Sequence, residues 1–164
     1  MTGPATVAAV ASPAPEHSAR LIENLIVEYA ALVDAGDFRG LGELLADSVF
    51  GGEGDAVVSG GPAIEKLFRA MVRTYDDGTP RTKHVTTNIH IEVDDEAGTA
   101  VSRSYVTVLQ ALPDLPLQPI VAGRYRDAFA YREGAWRFVE RRFTTDLVGD
   151  VSRHLRGGPA ALAT

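Results

Sequence analysis

The chain changes its hydrophobic period once, and that change limits the architectures open to it. Up to Tyr75 its apolar residues recur at helical spacing; from Thr82 onward they fall into strand-like runs. In "EHSARLIENLIVEYAALVDAGDF", Ile22, Leu25, Ile26, Tyr29, Leu32 and Val33 form one stripe, and Gly36 is a natural stop. Asp37 is placed to cap a second short helix carrying Leu41, Leu44 and Leu45. "GGEGDAVVSGG" is turn-rich with a short extended piece, and its glycines match no phosphate-binding loop. A third helix follows in "PAIEKLFRAMVRTY", with Pro62 in its first turn and Ile64, Leu67, Phe68, Met71, Val72 and Tyr75 on its apolar face.

Residues 82–94, 99–112, 119–132 and 135–147 read as four long strands. "DDEAG" and "REGA" are tight hairpin turns, whereas "LPDLPLQP" reads as a longer connection because prolines do not fit a central ladder. Helices first and a meander of strands afterwards give an α+β fold, with N-terminal helices packed in the concave face of a curled, mainly antiparallel sheet. Four strands that long curl around the helices, and a curled sheet with helices across its mouth makes a conical pocket. Residues 1–15 are expected as a flexible lead-in, 16–150 as one domain and 151–164 as a C-terminal tail. Trp136 and Phe138 are expected in the core, and Asp127 to pair with a neighbouring arginine.

The strand "RTKHVTTNIHIEV" carries Val85, Ile89, Ile91 and Val93 on one parity and His84, Thr86, Asn88 and His90 on the other. The polar parity is expected to look into the cone. His84 begins this strand, while Tyr29 and Asp34 lie on the first helix and near its end. A carboxylate beside an imidazole fixes the ring's tautomer and stabilises its charged form. The second ring nitrogen is then free to act as a base. A phenol such as Tyr29 can donate a hydrogen bond to a developing oxyanion. His17, His90 and His154 read as incidental.

Composition excludes several alternatives. Sixteen Lys and Arg stand against 22 Asp and Glu, a formal net charge of −6, which does not suit a nucleic-acid binder. There is no cysteine, so disulfides, thiolate nucleophiles and cysteine zinc sites are absent; this suits a cytoplasmic location. No run approaches the roughly 20 apolar residues of a membrane helix, and "MTGPATVAAVASPAPEHS" lacks the pattern of a signal peptide. No metal-ligand set stands out, and the chemistry above needs no cofactor.

The helix "IENLIVEYAALVDAGDFRGLGELLAD", the strand start "KHVTTN" and the pair "GRYRDAFAYREGAWRFVERR" resemble the SnoaL-like group of the nuclear transport factor 2-like superfamily over most of residues 18–147. Y-x4-D-x2-D and H-x3-N carry most of the likeness. The resemblance implies a cone-shaped barrel with a deep apolar pocket, a homodimer or homotrimer, and a small apolar substrate. Relatives include cofactor-free lyases: scytalone dehydratase, bile acid 7α-dehydratase and hexachlorocyclohexane dehydrochlorinase. Their strand histidine falls on His84, the aspartate of the last two on Asp34, and the dehydratases' helix tyrosine on Tyr29. An arginine of the last strand falls on Arg141 or Arg142. Where the bile acid enzyme has a second supporting aspartate, this chain offers Tyr105 and Thr107, so Asp34 alone must polarise His84.

Asn88, Tyr105, Arg124 and Arg142 complete the expected set as substrate-binding residues. The expected function is a cofactor-independent, dehydratase-like lyase acting on a mid-sized oxygenated molecule such as a steroid or polyketide. An isomerase or polyketide cyclase on the same scaffold, and a non-catalytic small-molecule binder, are the alternatives.

Overall fold

A computed structural model describes residues 15–54 and 56–162. The expected lead-in lies, apart from Pro15, outside the described residues. Three helices, α1 (Pro15–Ala35), α2 (Phe38–Leu44) and α3 (Gly61–Met71), pack against a six-stranded mixed sheet. Its strands are β1 (Val49–Gly51), β2 (Val57–Ser59), β3 (Thr82–Asp94), β4 (Thr99–Leu112), β5 (Leu115–Arg132) and β6 (Ala135–Val148). The order across the sheet is β2-β1-β6-β5-β4-β3, so the sheet stays open between β2 and β3. All pairings are antiparallel except β1 with β6, which is parallel.

The α1 stripe is buried as its spacing predicts: Ile22, Ile26, Tyr29 and Val33 are all within the core. The helix ends where Gly36 adopts φ +70°, with Asp37 N–H bonded to Leu32 O and Gly36 N–H to Val33 O, each at 3.0 Å. Those two hydrogen bonds satisfy carbonyls that would otherwise be orphaned at the helix end. Asp37 then caps α2 by accepting from Gly40 N–H at 2.9 Å. Helices α2 and α3 touch through glycine: a Cβ on Gly61 would come within 2.3 Å of Gly42 O. Only bare backbone permits that approach.

Two polar clamps lay α1 along β3. Ser18 Oγ donates to Asp95 Oδ1 at 2.8 Å at one end, and Asp34 binds the start of β3 at the other. The long strands β3, β4 and β6 run close to their expected bounds, whereas β5 begins earlier. Leu115 already pairs with Leu112, and Pro119 with Leu109, so "LPDLPLQP" is part of a long hairpin. The ladder between β5 and β6 starts only at Val121, which pairs with Val148. Pro113 sits in the turn, and Pro116 and Pro119 sit where one edge of β5 has no ladder to disturb.

Residues 151–162, expected as a tail, fold back over the end of the cone. Val151 and Leu155 are buried, and Leu155 forms a bridge with Val72 just after α3. Arg73 N–H donates to His154 O at 2.8 Å and Arg156 N–H to Met71 O at 2.9 Å. Gln110 Nε2 donates to Arg153 O at 3.2 Å, and the Tyr75 hydroxyl donates to the same carbonyl. A short 3-10 helix, Gly158–Leu162, brings Leu162 to the cavity. Burial of Val151 and Leu155 supplies the apolar driving force; the backbone bonds set the register.

Candidate functional site

Asp34 and His84 meet at the end of α1. Asp34 Oδ1 lies 2.7 Å from His84 Nδ1, and both side chains are less than one-tenth exposed. The carboxylate also accepts the His84 backbone N–H at 2.8 Å and the Thr82 hydroxyl at 2.9 Å. Burial pushes the Asp34 carboxyl up. The hydrogen bond and charge of the His84 ring, the His84 N–H and Thr82 outweigh it and hold the carboxyl below its ordinary range. An ionised Asp34 takes the Nδ1 proton of His84 as its hydrogen-bond donor. Nε2 of the same ring is left to act.

His84 lines a cavity of about 90 Å³ between α1, α3, the inner sheet face and the C-terminal segment. Its walls are mainly apolar, with Val33, Phe68, Val108 and Phe143 among them. The polar groups on it include Tyr29, Tyr125 and His154. Tyr29 and Tyr125 meet edge to face, with centroids 5.8 Å apart. Burial and the Tyr125 hydroxyl push the Tyr29 phenol well up, against the pull of Arg141. Burial likewise raises Tyr125. Both phenols keep their protons at neutral pH.

Arg141 lies behind the phenols and is completely buried. Its guanidinium sits 3.9 Å from the Tyr29 ring centroid and 3.8 Å from that of Tyr125. Asp127 Oδ1 is 3.6 Å from Arg141 Nε, and Ser102 Oγ donates to the other Asp127 oxygen at 3.3 Å. Burial pushes Asp127 up to about 6, against the pull of Arg141 and Ser102. Arg141 thus supports the Tyr29–Tyr125 wall, held by cation–π contacts as well as by its carboxylate.

Four expected ligand-binding residues do not line this cavity. A β-bulge in β3, with Asn88 at φ +52°, shifts the register between Thr87 and His90. One extra residue swaps the strand's faces. Thr82, His84 and Thr86 share the inner parity before the bulge; Ile89, Ile91 and Val93 pack on the core after it. Asn88 and His90 are exposed instead, and so is Val85. Tyr105 is 54% exposed on the outer face of β4, where the neighbouring parity, Ser104 and Val106, is buried. Arg124 lies outside, bonded by Nε and Nη2 to Asp146 at 2.7–3.1 Å. Arg142 also points outward, to Glu140 at 2.7 Å and to Gly52 O and Gly54 O at 3.2 Å. Of the two arginines left open by the sequence, Arg141 is the inward one.

Tyr125 and His154 line the cavity without having been expected there. Tyr125 is one residue from Arg124 and follows the buried parity Tyr125, Asp127, Phe129. That alternation was a usable signal. His154 offered a weaker one, a histidine between the apolar Val151 and Leu155. Its ring is pushed down to about 4 by burial and by the charge of His84, against the pull of Asp34. The unfolded chain therefore binds a proton that the folded chain refuses. Stability from this group is fully present above about pH 6.5 and erodes as pH falls towards 4, by on the order of 3 kcal/mol. Urea unfolding from about pH 7.5 down to 4 should show a smaller loss in His154→Gln than in the wild type. An equal loss in both would assign the acid sensitivity elsewhere. Asp127 works in the opposite direction, because its raised pKa removes stability as pH rises through 6.

Among the described residues, no helix is long and apolar enough to cross a membrane. A search of curated proteins finds no match. Among solved structures, Aln2 from a Streptomyces species is 21% identical, with a TM-score of 0.65, covering 82% of this chain and 94% of its own. A candidate scytalone dehydratase from Novosphingobium aromaticivorans is 22% identical with a TM-score of 0.64, over 82% of this chain and 87% of the other. LinA is also 22% identical, with a TM-score of 0.63, over 80% and 88% of the two chains. These likenesses establish the common fold. The model of the SnoaL-like domain matches residues 17–142, which include both partners of the Asp34–His84 pair. That match, over well more than half of the chain, places it in the SnoaL-like domain family.

Proposed function

We propose that the protein is a cofactor-independent lyase of the dehydratase type, with His84 as its general base. The observation that carries this reading is the 2.7 Å contact between Asp34 and His84 Nδ1 at the edge of an apolar cavity. His84 Nε2 takes a proton from a carbon next to a carbonyl. The electrons of that C–H bond move to the carbonyl oxygen, where the Tyr29 phenol donates a hydrogen bond. When the electrons return, a C=C bond forms and the neighbouring C–O bond breaks. The imidazolium gives its proton to the departing hydroxyl, and water leaves. Asp34 stays ionised throughout and stabilises the charged ring.

The substrate class is an oxygenated, largely apolar molecule, such as a steroid or polyketide fragment. The cavity of about 90 Å³ is small beside the roughly 300–1,000 Å³ of pockets for drug-sized ligands. A full steroid nucleus requires the cavity wall to give way. The fold also carries isomerase and cyclase chemistry, which begins with the same proton removal.

The test is incubation with a panel of β-hydroxyketones of increasing size, read by mass spectrometry. Loss of one water is the expected result. A product of unchanged mass assigns an isomerase or cyclase. Ligands that bind and never turn over assign a binding protein.

A further inference from the structure

His154 takes no part in the chemistry above, yet it shares the cavity with His84, Tyr29 and Tyr125. It arrives on the C-terminal segment and is held there by its neighbours. Val151 and Leu155 are buried on either side, and the His154 carbonyl accepts Arg73 N–H at 2.8 Å. The residue is 6% exposed.

Its two ring nitrogens differ. Nδ1 is buried with no hydrogen-bond partner. A buried N–H without an acceptor is rarer than an under-used lone pair and costs a full desolvation penalty. The lone pair therefore belongs on Nδ1 and the proton on Nε2, the nitrogen left to meet a ligand on a ring that lines the cavity.

We propose that His154 is a second catalytic residue of this site, a neutral imidazole whose Nε2–H donates a hydrogen bond to the substrate oxygen that becomes negative when His84 removes the proton. The inference rests on the reading of His84 as base. No proton leaves His154 in this step; the C–H proton goes to His84 and the charge goes to the oxygen between Tyr29 and His154.

Burial and the nearby His84 charge keep the His154 ring neutral in the working pH range, its pKa pushed down to about 4. Neutrality matters, because a second imidazolium would oppose protonation of His84. A preorganised neutral donor stabilises the oxyanion without that repulsion. The proposal also assigns a use to the closing of the cone by residues 151–155, which bring the donor opposite the strand that carries the base.

Two-bond proton–nitrogen NMR of the full chain, alone and with 4-nitrophenolate as oxyanion probe, tests this directly. His154→Phe and His84→Gln assign the two rings. His154 is expected to show the neutral Nε2–H tautomer from about pH 5 to 8 and to shift when the probe binds. His154→Phe should weaken binding of the probe by about 10–100-fold, the range for a hydrogen bond to a charged group. The Nδ1–H tautomer, titration near the ordinary histidine pKa, or unchanged affinity in His154→Phe would each overturn the proposal. A probe that shifts His84 and leaves His154 still removes the donor and keeps the base. A probe that shifts neither removes both. Turnover retained in His84→Gln, with His154 still binding the probe, removes the base alone.

Discussion

His84→Gln is expected to lower kcat by about 10²–10⁴-fold, the usual range for loss of a positioned general base. Gln retains a polar side chain of similar reach and cannot cycle a proton at neutral pH. Asp34→Asn should cost at least about 10²-fold, because a neutral amide no longer stabilises the imidazolium. The double variant should fall little below His84→Gln alone, since the two residues act as one device. Steady-state turnover on any substrate found by the dehydration screen checks these values, with thermal unfolding as the control. Asp34 also accepts from Thr82 and from the His84 backbone, so a loss in Asp34→Asn counts as local disorder only if its Tm falls as well. Unchanged turnover in both single variants removes the proton-transfer mechanism.

The largest expected stability effect lies behind the cavity. Arg141→Met should destabilise the fold by about 3–5 kcal/mol, the cost of leaving one member of a buried ion pair alone. Asp127 would lose its cation, and the Tyr29 and Tyr125 rings would lose the guanidinium packed against both. Adding Asp127→Asn should recover much of the loss, because replacing both charges removes the uncompensated one. Chemical unfolding of the four species forms a double-mutant cycle. If Arg141→Met is as stable as the wild type, the cation–π contacts and the ion pair contribute nothing net. If the double variant is no better than Arg141→Met, the rings rather than the carboxylate hold the arginine in place.

The two experiments probe different depths of one structure. Tyr29 touches both, since it faces the cavity and stacks on Arg141. An Arg141 variant that folds but loses activity would therefore report on the position of the phenol wall.

The order of helices and strands was legible because periodicity is a local property. The α1 stripe, the stop at Gly36, the Asp37 cap and the four long strands each follow from residues within a few positions of one another. The short strands β1 and β2 were less clear, because three residues do not establish a period. The prolines of "LPDLPLQP" misdirected the start of β5, since one edge of that stretch has no partner strand.

The site divides the same way. A carboxylate at the end of α1 and a histidine at the start of β3 were visible as candidates, whereas their contact spans 50 residues of sequence. Alternation along β3 predicted one polar inner face, which extends only as far as Thr86. A single residue at Asn88 reversed it, because strand faces alternate with a period of two and a bulge adds one. The same parity logic, applied on β5, separates the buried Tyr125 from the outward Arg124.

By itself, the sequence determined the element order, the helix ends and the residue types available for proton transfer, because these depend on local spacing and side-chain chemistry. Only the tertiary structure decided which of them share a cavity. The bulge at Asn88, the inward turn of Arg141 and the return of His154 to the cavity that His84 lines all depend on packing between segments far apart in the chain. There, burial of apolar surface and contacts between distant segments choose among faces that local sequence leaves equivalent.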